Sequence, residues 1–208
     1  MQPISTGFSR FLLISLIVAF ITSGCASFAG RELPIYTKEQ VSAPAKKISA
    51  TYDVKAFGVT GGENNMAAAG IDKEIQKILS TSPIFSEFKP GAGPGDHHYS
   101  FTFRNEGSPP LPIAFLNGFI SGFTFTLIPA YARDIFIITI DVKQGDRVLK
   151  TYTYRDHMDS WIQLFMVFLA PGNWPPTVSD TVIDNMLMNF AYDLGSDIES
   201  GVYLAKQN

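Results

Sequence analysis

Runs of apolar and polar residues change period along the chain, and each change predicts an element. Residues 51–59 alternate in the manner of a strand. Between residues 66 and 79 the large apolar residues recur at helical spacing, at Ile71, Ile75, Ile78 and Leu79. Asn64 or Asn65 supplies a cap for this helix, because a side-chain amide can accept a hydrogen bond from a free backbone N–H of the first turn.

The second half of the chain predicts further strands and a final helix. Residues 99–104 alternate as a strand with one buried face. Residues 134–156 predict a hairpin that turns at Gln144, Gly145 and Asp146. From Thr177 or Ser179 to Ile198 a broad apolar stripe at helical spacing predicts a C-terminal helix.

Two strongly apolar segments interrupt this pattern. Residues 111–128 alternate Phe123, Phe125 and Leu127 with threonines towards their end, which favours a strand over a membrane segment. Residues 161–170 form a second apolar run before a proline-rich loop. The order strand, helix, strands, helix then predicts an α+β fold in residues 50–208, a single antiparallel β-sheet with two helices packed on one face.

The amino-terminal end has the pattern of an export signal. Arg10 precedes the apolar residues 11–21, a run too short to span a bilayer, and the small residues Ser23 and Gly24 follow it. Cys25 is the chain's single cysteine. Residues 25–49 contain few large apolar residues, which predicts a flexible tether.

The sequence Thr22-Ser23-Gly24-Cys25 resembles the lipobox of bacterial lipoproteins. The resemblance implies a lipoprotein signal peptide over residues 1–24, cleavage between Gly24 and Cys25, and acylation of Cys25 that anchors the chain to a membrane. Ala26 after the cysteine implies the periplasmic face of the outer membrane, with the inner membrane as the alternative. An ordinary signal peptide, or a retained anchor with an incidental Cys25, is the competing interpretation.

The composition of the chain argues against nucleic-acid binding and favours an apolar contact surface. Removal of residues 1–24 leaves 15 basic against 19 acidic side chains, a formal charge of −4, which does not suit nucleic-acid binding. Aromatic residues make up 13% of the chain, including 17 phenylalanines. A possible interaction patch lies in the apolar segments and the loops beside them, at Phe115, Phe119, Trp161, Phe165, Phe168 and Trp174.

Candidate catalytic and metal-binding patterns are weak, so no catalytic residue, metal or cofactor is predicted. Residues 91–95 are glycine-rich but lack the dinucleotide and P-loop patterns. His97 and His98 enter a strand as neighbours, so their side chains should point to opposite faces. Residues 156–160, Asp-His-Met-Asp-Ser, predict a polar turn rather than a catalytic triad.

The order of elements is similar to that of a set of uncharacterised bacterial lipoproteins. The residues that carry this resemblance are Thr126, Leu127, Pro129, Tyr152, Tyr154 and Trp161. The first strand and helix also resemble the amino-terminal domain of TolB at the level of fold, which carries no function. From the lipobox and the lack of a catalytic pattern we expect a non-enzymatic, lipid-anchored module that binds an envelope protein. The alternatives are a membrane-embedded protein that inserts residues 111–128 and 161–170, and an envelope hydrolase that uses His157.

Overall fold

The structure is a computed structural model that describes residues 24–91, 97–124 and 126–201. The export signal predicted over residues 1–24 therefore lies outside the described residues except for Gly24. Most of the glycine-rich segment 91–95 and Phe125 of the predicted strand also lie outside them.

The described chain contains six strands and three α-helices. In chain order they are β1 Gly24–Ala29, β2 Ile48–Phe57, α1 Asn65–Leu79, β3 Phe85–Pro90, β4 His97–Ser108, α2 Leu111–Phe123, β5 Ala130–Gln144, β6 Arg147–Gln163 and α3 Pro175–Glu199. Short 3₁₀ turns occupy Lys38–Gln40 and Leu164–Phe168.

The strands form one mixed sheet in the order β1-β6-β5-β4-β2-β3. Strand β2 is parallel to both of its neighbours, β3 and β4. Helix α1, which packs on β2 and β3, connects these two parallel strands and returns the chain to the same end of the sheet. The prediction of a single antiparallel sheet with two helices is therefore wrong, because strand periodicity reports which residues are buried and not strand direction.

Several local predictions are confirmed. Helix α1 buries its four periodic residues, and the Asn64 side chain accepts a hydrogen bond from the Ala67 N–H at 3.0 Å. Gly145 has a φ of 59°, a left-handed conformation suited to glycine, in the tight turn that joins β5 to β6. Helix α3 begins at Pro175, slightly before the predicted cap, since prolines fit a first helical turn.

The strand predicted over residues 111–128 is a helix instead. Helix α2 runs from Leu111 to Phe123 and has Pro112 in its first turn, where a missing N–H costs no intrahelical hydrogen bond. The alternation that favoured a strand begins only at Phe123, where the helix ends. Beyond that end Thr126 has a φ of 61° and donates its N–H to the Ser121 carbonyl at 2.7 Å.

Residues 25–49, predicted as a flexible tether, contain ordered structure. Residues up to Ala29 belong to strand β1, in which Ala26 and Ser27 are fully buried. Further on, the Asn189 amide donates to the Pro34 carbonyl at 2.8 Å, and the Tyr36 ring stacks on Tyr192. The segment is held by backbone pairing, side-chain hydrogen bonds and one ring stack, which its few large apolar residues do not predict.

The chain divides into two compact units. The smaller unit comprises, within the described chain, residues 24–28, 107–133 without Phe125, and 159–178. The larger unit comprises the described parts of 29–106, 134–158 and 179–201. The core of the larger unit combines aliphatic residues of α1, β5 and α3 with an aromatic cluster from β2, β4, β6 and α3, which consists of Tyr52, Tyr99, Phe101, Tyr152 and Phe190.

Candidate functional site

The smaller unit exposes an unusual number of large apolar side chains. We call this set the apolar surface; its members on α2 are Leu111, Ile113, Phe115, Leu116, Phe119, Ile120 and Phe123. Its other members are Leu127, Ile128, Phe165, Phe168, Leu169 and Trp174. Large exposed apolar sets of this kind mark sites of protein or membrane contact.

Helix α2 is inverted in polarity relative to an ordinary surface helix. The side chains that face the protein are small or polar: Ser121 is buried, and Ala114 and Asn117 are half-buried. The Asn117 amide donates to the Tyr131 carbonyl at 3.0 Å. Phe115, Phe119 and Phe123, spaced by four residues, project from the opposite side and are between 64% and 80% exposed. A helix with this arrangement places its apolar side away from the protein.

Charge is almost absent from the smaller unit. Between residues 107 and 133 only Arg133 is charged, and between 159 and 178 only Asp159. These two side chains pair: Arg133 Nε lies 2.6 Å from Asp159 Oδ1, and Nη2 lies 2.9 Å from Oδ2. Tyr131 also donates its hydroxyl to Asp159, and burial together with this carboxylate raises the Tyr131 pKa. The unit's charges therefore neutralise each other in one cluster.

The structure places the six predicted patch residues in the smaller unit. Phe115, Phe119, Phe165, Phe168 and Trp174 are exposed, whereas Trp161 is half-buried, with its ring 4.8 Å from that of Tyr131. Sequence reasoning missed other members of the apolar surface, including Leu116 and Phe123. A helical wheel of residues 111–123 would have found them, but the strand prediction hid that spacing.

Helix α2 is too short to cross a bilayer. Its 13 residues extend about 20 Å, against a hydrocarbon core of roughly 30 Å. None of the helices in the described parts of the chain combines the length and the apolar character that a membrane span requires.

Cys25 lies in strand β1 of the smaller unit and is half-buried. Burial raises the pKa of its thiol, the opposite of the shift that activates a nucleophilic cysteine. The strand is held through Ser27, whose N–H donates to the Asn173 carbonyl at 2.8 Å and whose hydroxyl lies 2.7 Å from that of Ser160. Gly24 leaves no space for a side chain, since a Cβ there would lie 2.1 Å from the Val167 nitrogen.

The larger unit contains a cluster of Glu32, Asp156 and His157. His157 Nδ1 lies 2.9 Å from Glu32 Oε1. The buried Asp156 carboxylate accepts hydrogen bonds from the backbone N–H groups of Glu32 and His157, at 3.2 and 2.8 Å. One potential ligand atom from each side chain lies within 4.8 Å of the others, so the three could hold a cation.

The polar turn predicted over residues 156–160 is part of strand β6, so that prediction is wrong. Asp156 and His157 are neighbours on this strand, and Asp156 Oδ1 accepts the His157 backbone N–H at 2.8 Å and lies 3.9 Å from the His157 Nδ1 atom. Four of these five residues are polar, which resembles a turn, but Met158 among them is buried in the strand. The contacts of these residues differ: Asp159 binds Arg133, and His157 contacts the carboxylates of Glu32 and Asp156.

The other two histidines enter strand β4, as predicted, with different surroundings. His97 is buried, whereas His98 is half-buried. His98 Nδ1 lies 2.9 Å from the Thr51 hydroxyl, and its Nε2 lies 2.7 Å from Asp53 Oδ1. His98 therefore links the two parallel strands β2 and β4.

A pocket of about 400 Å³ opens in the larger unit between the segment 29–38 and helices α1 and α3. Its lining is mainly apolar, with Asp156, Asp184, Arg31 and Lys38 as charged members. Asp184 lies 2.6 Å from Lys77 Nζ, which also contacts Glu74. Burial, assisted by the neighbouring Glu74, nevertheless raises the pKa of Asp184 to about 6.

This shift predicts a pH dependence of stability. The folded chain keeps the Asp184 proton up to about pH 6, whereas the unfolded chain releases it near 3.8. The folded state thus binds more protons in this interval, and the contribution of Asp184 to the free energy of unfolding falls as the pH rises from about 4 to 6. We expect urea denaturation to show Asp184→Asn gaining stability relative to wild type over this interval. A stability difference that stays constant, or moves the other way, contradicts the assignment.

Comparisons with known proteins show a distant likeness of fold. No protein-family model matches the sequence, and no curated protein matches it. Protein XCC0632 from Xanthomonas campestris, of family DUF330, is 8% identical over 79% of this chain and 91% of its own, with a TM-score of 0.42.

Two dodecamer structures of PelC from Paraburkholderia phytofirmans are also similar to this chain. One, a variant, is 8% identical over 80% of this chain and 95% of its own, with a TM-score of 0.35. The other is 6% identical over 79% of this chain and 96% of its own, with a TM-score of 0.29. At these scores the likeness supports no statement about function.

Proposed function

We propose that the protein is a lipid-anchored lipoprotein of the bacterial envelope that acts by binding another envelope component rather than by catalysis. The observation that carries the proposal is the position of Cys25. The lipobox-like cysteine lies in the same compact unit as the apolar surface. An acyl anchor on Cys25 would bring that unit to a membrane, where an exposed apolar set and a nearly uncharged sequence are suited to their surroundings.

The side chains around Cys25 and His157 support the hydrolase alternative less well than they support a binding role. Cys25 has a raised thiol pKa, and His157 faces the carboxylates of Glu32 and Asp156. A hydrolytic nucleophile activated by a histidine requires its hydroxyl or thiol within hydrogen-bonding distance of the ring. A binding role, with the pocket of the larger unit and the apolar surface as contact sites, fits these side chains better.

The experiment is the intact mass of the mature protein from membranes, together with cell fractionation of wild type and Cys25→Ser. We expect a chain that begins at an acylated Cys25 and sediments with the outer membrane. The variant, which lacks the sulfur that forms the thioether, should remain unprocessed or be released into the soluble fraction. An unmodified Cys25, or a wild-type chain that still begins at Met1, would refute the anchor.

A further inference from the structure

An acyl anchor on Cys25 would hold the smaller unit directly at the bilayer surface. Strand β1 includes Cys25 itself, and the backbone of the next residues is already buried and paired. Ser27, two residues further along the chain, forms hydrogen bonds with Asn173 and Ser160 of the same unit. Without a linker between the acylated residue and the folded unit, the acyl chains must enter the membrane directly beside that unit.

The composition of the unit suits contact with lipid. Its described residues carry two charged side chains, and these satisfy each other in the bidentate pair of Arg133 and Asp159. A protein surface that meets water ordinarily interrupts its apolar residues with charges. Here the interruptions are glycine, proline, serine, threonine and amide residues, which cost much less to bring near a hydrocarbon phase than ions do.

Helix α2 supplies the geometry. Its polar contact, from Asn117 to the Tyr131 carbonyl, faces the protein, and its phenylalanines Phe115, Phe119 and Phe123 face outwards. Interfacial helices insert an apolar side in this way to a depth of about 5–10 Å, and they need not span the membrane. Trp174, also exposed in this unit, has the amphipathic ring that is enriched at the level of lipid headgroups.

From these observations we propose that the apolar surface inserts into the outer part of a lipid leaflet, beside the acylated Cys25, with α2 as its main contact. This inference rests on the proposed function, since the anchor fixes which unit meets the bilayer. The occupant is the lipid leaflet and not a second copy of the chain, because a linker-free anchor brings lipid to the unit. The apolar surface therefore adds binding to that of the acyl chains.

The chain provides its own reporter for this contact. Its two tryptophans, Trp161 and Trp174, both lie in the smaller unit, so tryptophan emission reports on that unit alone. The acylated full-length mature protein is reconstituted in phosphatidylethanolamine–phosphatidylglycerol vesicles, with and without lipids brominated on their acyl chains. Intact mass confirms acylation in every sample. We expect brominated lipid to lower the emission relative to unbrominated lipid, because rings inserted to a depth of about 5–10 Å lie close to the brominated acyl chains.

A triple variant and a matched control test the role of α2. Phe115→Gln, Phe119→Gln and Phe123→Gln together should abolish most of the quenching and increase quenching by aqueous acrylamide, while circular dichroism stays unchanged because all three are exposed. The control combines Ile35→Gln, Met66→Gln and Val148→Gln, which are 67%, 87% and 48% exposed on the larger unit. This control should be quenched by brominated lipid as wild type is.

Two results overturn the inference while leaving the anchor in place. In the first, the acylated protein is insensitive to brominated lipid and fully open to acrylamide. In the second, brominated lipid has no effect and the protein on the vesicles is an oligomer that the α2 triple variant dissociates, which would assign the apolar surface to self-association. Loss of acylation in the wild type is a different outcome, since it refutes the proposed function from which the inference starts.

Discussion

Replacing Phe190 with alanine is expected to lower the free energy of unfolding by about 3–5 kcal/mol, the usual cost of removing a buried phenylalanine ring. Phe190 lies on α3 and is 0% exposed. Its ring centroid is 5.3 Å from that of Tyr152, 5.9 Å from Phe101 and 6.0 Å from Tyr99, all in edge-to-face geometry. Removal of the ring deprives aromatic residues on two strands of a shared neighbour and leaves a cavity among rigid groups.

Urea denaturation followed by circular dichroism measures this effect. Met66→Ala is the control, because Met66 is a large apolar residue on a helix of the same unit but is almost fully exposed. Its substitution should change stability by less than about 0.5 kcal/mol. A loss below about 1 kcal/mol for Phe190→Ala would mean that Phe190 is not packed as described.

The sequence predicted elements wherever a single period continued for long enough. The four periodic residues of α1, the alternation in β4 and the tight turn at Gly145 each produced the expected structure. Burial requirements inside one element set these patterns, so they can be read locally. Helix α3 followed for the same reason, with only its first turn misplaced.

The direction and order of the strands could not be obtained in this way. The parallel pairing of β2 with β3 and β4 depends on where the chain re-enters the sheet, which local periodicity does not record. Helix α2 was missed for a different reason. Since its outward side is apolar and its inward side small or polar, it lacks the polarity that identifies a helix at the surface of a soluble protein.

The candidate site was partly accessible from the sequence. An unusual aromatic content in two segments was enough to identify Phe115, Phe119, Phe165, Phe168 and Trp174, which the structure leaves exposed. Two contacts join residues that are far apart in the chain: the ion pair of Arg133 with Asp159, and the hydrogen bond from the Glu32 N–H to Asp156. Such contacts follow from strand order, so they became visible only with the sheet.

Asp156 anchors the segment that follows β1 in the larger unit. It is 1% exposed, and its carboxylate accepts the N–H groups of Glu32 and His157. Glu32 is preceded by Arg31, whose φ of 56° is unfavourable for a residue with a side chain. The hydrogen bond from Glu32 to Asp156 stabilises this conformation and so helps to place Glu32 next to His157.

We therefore expect Asp156→Ala to lower the free energy of unfolding by about 3 kcal/mol, because hydrogen bonds to a carboxylate are strong and the variant removes the acceptor of two backbone N–H groups. Urea denaturation measures the loss, and amide hydrogen exchange should show Glu32 opening more than the core strands do. Glu87→Ala is the control, since Glu87 is half exposed and forms only a surface pair with Lys89. If both variants lose the same small amount, Asp156 does not hold the segment, and its burial reflects the packing around it.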